Sequence, residues 1–117
     1  MGRLTTHVLD TSQGRPGAGV RLALFRLDGS VRARLCDATT NADGRCDKPL
    51  LEGADFLAGA YELVFQAGHY FKASGISLPD PPFLDEVVLR FNIAEPGQHY
   101  HVPLLISPWS YSTYRGS

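Results

Sequence analysis

Apolar and polar residues alternate with a period of two along most of this chain, and clusters of Gly, Pro, Asn and Asp interrupt the alternation. Side chains at i and i+2 share a face only in an extended backbone. The pattern therefore excludes a helical bundle and demands sheets, each strand with one face toward a core.

Taken in order, residues 3–10 form a first strand, and the Gly- and Pro-containing stretch 11–17 is a turn. Val20, Leu22 and Leu24 fall on one face of a second strand, and Asp28-Gly29 closes a hairpin because Gly supplies the positive φ of a tight primed turn. The returning strand is expected to turn Val31, Ala33 and Leu35 inward and Arg32 and Arg34 outward. Asn41-Ala42-Asp43-Gly44 is a further turn that launches Arg45, and residues 51–58 are a loop or one helical turn. Tyr61, Leu63 and Phe65 share a face. Residues 69–74 suit a short helix stopped by Gly75, and Pro79-Asp80-Pro81-Pro82 forbids regular structure. Val87 to Phe91 is a strand. The segment from His99 supplies the last two strands and is expected to stay strand-like through Tyr114-Arg115-Gly116-Ser117. About seven or eight short strands with turns between them make an antiparallel β-sandwich. At 117 residues the chain is expected to be a single domain, 1–117.

The charge balance narrows the partners. Net charge is −1 with acids and bases interspersed, so a nucleic-acid footprint is not expected. Apolar runs are too short to span a bilayer, and Met1-Gly2-Arg3 opens without an apolar leader, which points to a cytoplasmic protein. Cys36 and Cys46 lack nearby partners at zinc-site spacing and read as free thiols packed as small hydrophobes.

Candidate chemistry lies at the two ends. His99 and His101 project from one strand face, with Tyr100, Val102, Leu104 and Ile106 on the other. His7 has Thr5 on its side of the first strand. Imidazoles titrate near neutrality and an arginine binds anions, so His7, His99, His101 and Arg45 could form an acid–base and anion-binding set. Each also has an ordinary reading. A lone histidine often only packs or caps, paired histidines can bind metal or flank an interface, and Arg45 can be a solvated residue leaving a turn. Trp109 reads as an anchor in a core or an interface.

Taken together the ends resemble a known family. Leu4-Thr5-Thr6-His7-Val8-Leu9-Asp10 followed by Gly14-Arg15-Pro16 is similar to the entry strand of transthyretin-like proteins, and Asp43-Gly44-Arg45 and Gly68-His69-Tyr70-Phe71 also fit. His99-Tyr100-His101-Val102-Pro103-Leu104-Leu105 with Tyr114-Arg115-Gly116-Ser117 resembles the signature of the 5-hydroxyisourate hydrolases within that family. The chain departs at Trp109-Ser110, where the family commonly has Tyr or Phe followed by Gly.

The resemblance implies a transthyretin-like sandwich of two four-stranded sheets with one short helix. It implies a homotetramer, a dimer of dimers, with sites at the dimer–dimer interface, and no cofactor or metal. It maps catalytic roles onto His7, His101 and Ser117, and substrate binding onto His7, Arg45, Tyr114, Arg115 and His99. The implied reaction opens a cyclic acyl–nitrogen bond of a flat, polar purine. His7 and His101 would serve as base and acid, Arg45 would face the developing oxyanion, and Ser117 would bring a hydroxyl and a terminal carboxylate to the water. Two other readings stand beside it: a carrier of an aromatic ligand on the same fold, and a zinc protein using His99 and His101.

Overall fold

The computed structural model describes residues 2–116. Strand β1 (Arg3–Asp10) buries Leu4, Thr6, Val8 and Asp10 and leaves Thr5, His7 and Leu9 half-buried, as its alternation requires. The described residues add β2 (Arg15–Pro16), β3 (Arg21–Asp28), β4 (Val31–Thr39), β5 (Leu51–Glu52), β6 (Gly59–Gln66), helix α1 (Ala67–Ala73), β7 (Glu86–Ile93), β8 (His99–Ile106) and β9 (Tyr111–Thr113). A 3₁₀ turn covers Gly53–Asp55, within the stretch expected to be a loop or a helical turn.

Two sheets face one another. One runs β4-β3-β6-β7 and is antiparallel throughout. The other runs β2-β1-β8-β9, with β5 also on β1. In that sheet β1 and β8 pair in parallel, Arg3 opposite His99 through to Asp10 opposite Ile106. Since β8 occupies one edge of β1, the short β5 and β2 pair with opposite ends of the other edge. One sheet has the four strands implied by the resemblance, and the other has five, because the two-residue β2 and β5 both pair with β1. Tyr61, Phe65, Leu24 and Leu63 from one sheet and Leu4, Val8, Leu104 and Ile106 from the other build the core. No helix among the described residues is long and apolar enough to cross a membrane.

Four local expectations change. Val31, Ala33 and Leu35 do not enter the core; Val31 is 64% and Leu35 40% exposed. Leu24 pairs with Cys36 but Phe25 with Arg34, so Leu35 is squeezed out as a bulge. Cys36 and Ala38 are the β4 residues packed against the core. The outer face of this sheet carries its own apolar contact, with Arg32 stacked 3.9 Å above the Phe25 ring. There the buried Glu62 carboxylate accepts hydrogen bonds from Arg32 and Arg90. Helix α1 begins two residues earlier than its expected start at His69, at Ala67, and Gly75 follows it with φ +83°. The last strand ends at Thr113, and the chain returns to the sheet at Gly116, which bridges to His101. Trp109 is 59% exposed and lies 5.6 Å, ring to ring, from Phe83, which is more exposed still.

Asp10 ties the end of β1 to the turn and the helix. Its carboxylate accepts from the Ser12 backbone N–H (3.0 Å) and hydroxyl (2.6 Å), the Gln13 backbone N–H (3.1 Å) and side-chain amide, and the Tyr70 hydroxyl (2.7 Å). Burial alone pushes the Asp10 carboxyl up, but hydrogen bonds from Ser12, Tyr70 and Gln13 outweigh it and hold the group below its ordinary value. A carboxyl depressed in the folded state contributes stability above its unfolded pKa of about 3.9, and loses it as pH falls through the folded value. Asp10→Asn should therefore lower the melting temperature at pH 7 by roughly 5–10 °C. Thermal melts between pH 7 and pH 2 should show this gap closing below about pH 4. A gap of constant size over that range would contradict the assignment.

Candidate active site

The parallel register of β1 and β8 sets the site. Thr5 lies opposite His101 and His7 opposite Pro103, so both histidines stand on the outward face of the sheet while Tyr100, Val102, Leu104 and Ile106 are buried behind them. The imidazole centroids are 6.4 Å apart, with the rings tilted by 42°. That spacing leaves room for one small polar group between them.

Arg45 arrives from a loop that docks on the free edge of β1, between β5 and β2. His7 and Arg45 form an isolated antiparallel bridge, and the Val8 N–H donates to the Gly44 carbonyl at 2.7 Å. The turn before it is held by Asn41, whose side-chain oxygen accepts from the Asp43 and Arg45 N–H groups while its amide donates to Asp47. Gly44 has φ +78°, and a Cβ there would lie 2.3 Å from the Val8 carbonyl oxygen, so only glycine fits. The Arg45 side chain itself is exposed.

Each imidazole has a distinct partner. His7 Nε2 lies 2.9 Å from the Asp43 carbonyl oxygen, which can only accept, so Nε2 carries a proton and Nδ1 is the open nitrogen of the neutral ring. His101 Nδ1 lies 2.8 Å from the Thr5 hydroxyl, which leaves Nε2 open. Burial, then the positive charges of Arg45 and His7, lower the His101 pKa below its ordinary value. Both effects favour the neutral ring of His101. Gly116 covers its ring: the Gly116 N–H donates to the His101 carbonyl at 2.6 Å, and a Cβ on Gly116 would sit 2.8 Å from His101 Cδ2.

The structure thus brings His7, His101 and Arg45 together. His99 is exposed on the same face one pleat earlier, opposite Arg3. Arg115 donates to the Gln98 side chain and the His99 carbonyl and lies 4.0 Å above the Tyr100 ring, away from the histidine pair. Tyr114 is exposed. Ser117 lies outside the described residues. Thr5, Gly116 and the Asp43 carbonyl are parts of the site that the sequence candidates omit. Thr5 had a signal in its shared face with His7, and Asp43 and Gly116 lay within the motifs of the family resemblance. A cavity of about 220 Å³ lined by Arg3, Thr5, Thr6, Cys46, Asp47 and Lys48 abuts the pair through Thr5. Among the described residues no three His, Cys, Asp or Glu side chains converge as a metal site would require. Cys36 and Cys46 are free and half-buried, and burial raises both thiol pKa values.

Residues 4–116 match the profile of the HIUase/Transthyretin family. The chain is 65% identical over 116 residues to the 5-hydroxyisourate hydrolase of Mesorhizobium japonicum, covering 99% of this chain and 93% of that protein. Among solved structures it is similar to an (S)-allantoin synthase, with TM-score 0.94 and 48% identity; the match covers 99% of this chain but 44% of that one. It is also similar to sea bream transthyretin in complex with thyroxine, with TM-score 0.87, 27% identity and coverage of 97% and 94%.

The contact of Gly116 with His101 can be tested without a ligand. Gly116→Ala should displace the His101 ring resonances in an NMR spectrum, because its Cβ has no room beside Cδ2. Gly97→Ala, whose Cβ meets nothing within 4 Å, should leave them in place. Unmoved His101 resonances in Gly116→Ala would refute the packing described.

Proposed function

The chain belongs to the HIUase/Transthyretin family, and we propose that it is an enzyme that hydrolyses 5-hydroxyisourate, as its relative from Mesorhizobium japonicum is named for doing. The observation that carries the reading is the convergence of His7, His101 and Arg45 on one sheet face from three separate parts of the chain.

The proposed reaction adds water across the activated cyclic acyl–nitrogen bond. One imidazole accepts a proton from water as its oxygen bonds to the acyl carbon. The tetrahedral oxyanion forms beside Arg45, whose guanidinium stays charged and offers a planar fork of donors. Collapse breaks the C–N bond, and the leaving nitrogen takes a proton from an imidazolium, either the one just formed or the other ring in its protonated form. The product is 2-oxo-4-hydroxy-4-carboxy-5-ureidoimidazoline, with a new carboxylate and a ureido group. Acid–base assistance of this kind is worth about 10²–10⁴-fold in rate, and one preorganised oxyanion donor roughly 3 kcal/mol. Neutral His101 suits this chemistry, because an imidazolium beside Arg45 could not take the proton from water.

Ser117, which follows Gly116 in the sequence, is proposed to take part in the reaction through its hydroxyl. Tyr114, Arg115 and His99 are proposed as substrate contacts in the assembled protein. The histidine pair stands on an open face, and keeping bulk water from it needs a wall that this chain does not supply alone. Further copies would supply it in a homotetramer, a dimer of dimers, with the sites at the dimer–dimer interface. The protein is proposed to act as a single domain in the cytoplasm.

The test follows the absorbance decay of freshly generated 5-hydroxyisourate. Wild-type protein should accelerate it, and His7→Ala/His101→Ala should lose at least about 10²-fold. The rate should fall at acidic pH as His101 becomes protonated, with the midpoint below the ordinary histidine value of about 6.5 because the His101 pKa is lowered. No acceleration by wild type, or full activity in the double variant, would rule the proposal out.

A further inference from the structure

We infer that Thr5 is a positioning residue for this reaction: its hydroxyl holds the His101 ring by Nδ1 so that Nε2 faces the substrate, in either tautomer. The inference rests on the hydrolase reading for its kinetic consequence, but the geometry stands independently.

The hydroxyl lies 2.8 Å from His101 Nδ1, across the parallel register that sets Thr5 opposite His101. It has no other hydrogen-bond partner among the described residues. The neighbouring Thr6 shows the contrast, since its hydroxyl donates to the Val102 carbonyl at 2.7 Å on the core side and acts as a strand tie. Threonine suits the outward position because its branched Cβ restricts χ1 in a strand. Gly116 leaves no room beside the same side chain, since a Cβ there would meet His101 Cδ2, Cβ and Cγ. With the hydroxyl on Nδ1 and Gly116 against the ring carbons, the imidazole has one orientation.

The partners of the two histidines differ in kind. A carbonyl oxygen accepts only, so Asp43 keeps the proton on His7 Nε2. A hydroxyl both donates and accepts. Thr5 can accept from Nδ1–H while Nε2 is a lone pair ready to take a proton. When Nε2 takes up a proton the ring becomes an imidazolium whose Nδ1–H still donates to the hydroxyl, and in the neutral tautomer with its proton on Nε2 the hydroxyl can rotate to donate to Nδ1. His101 can thus pass between its base and acid forms without turning its ring, whereas the Asp43 carbonyl holds the His7 Nε2 proton in place.

The experiment compares Thr5→Val, Thr5→Ser and wild type. Valine keeps the branched shape and removes the hydroxyl; serine restores the hydroxyl. Thr5→Val should lower kcat about 10-fold or more with KM within about twofold, and Thr5→Ser should recover most of the loss. The acid limb of the pH profile should move in Thr5→Val and return in Thr5→Ser. An ¹⁵N spectrum of the imidazoles, recorded without substrate, should show the His101 Nδ1 resonance shifted in Thr5→Val and close to wild type in Thr5→Ser. Wild-type kcat, pH profile and Nδ1 resonance in Thr5→Val would overturn the inference, and so would a serine variant as impaired as the valine one. If melting curves show Thr5→Val to be unfolded, the serine variant and its spectrum decide. If wild type proves inactive on 5-hydroxyisourate, the functional reading fails, while the Nδ1 resonance still tests whether Thr5 holds the ring.

Discussion

The parallel ladder between β1 and β8 is the constraint on which the rest depends. Its register puts Thr5 opposite His101 across a sequence separation of 96 residues. Because side chains alternate strictly along a strand, one register satisfies two demands together. Leu4, Val8, Leu104 and Ile106 go into the core, and Thr5, His7 and His101 go to the open face. A slip by one residue would invert one strand's faces, exposing its apolar set and burying an imidazole. The burial that stabilises the sandwich therefore also fixes the histidine pair.

The free edge of β1 carries the third member. Parallel pairing uses only one edge, and the other is completed in pieces, by β5 near Leu4, the turn residues Gly44 and Arg45 near His7, and β2 near Leu9. Arg45 is held by backbone pairing and by a left-handed glycine, so its guanidinium can remain exposed while its Cα is fixed. Burial first, and then the nearby Arg45 charge, lower the His101 pKa. Elsewhere the protein pairs its buried charges fully. Asp10 is surrounded by donors, and Glu62 lies between Arg32 and Arg90. The exposed Arg45 instead turns its charge toward the imidazole pair, near enough to shift His101.

Much of this was legible in the chain. The alternation in Arg3–Asp10 and His99–Ile106 marks both strands and their buried faces, and the family resemblance marked His7, His101 and Arg45. The misplaced features have local causes. The bulge at Leu35 depends on how β4 pairs with β3, which no periodicity within β4 reveals. Helix α1 starts at Ala67 without a side-chain cap, so it lacked the usual start signal. Strands β2 and β5 are two residues each and exist because β1 offers an edge. The role of Thr5 needed the parallel register, and that of Gly116 needed the chain to turn back after Thr113. Both depend on contacts between distant residues, to which spacing along the chain is blind.

The central claim is that His7, His101 and Arg45 form one electrostatic unit on the sheet face. An NMR titration of the His101 ring in wild type and in Arg45→Gln tests it most directly. The wild-type pKa should lie below the ordinary histidine value, and Arg45→Gln should raise it, because the neighbouring positive charge that disfavours the imidazolium is removed. An identical His101 titration in the two proteins would mean that Arg45 does not act on the imidazole, contradicting the account.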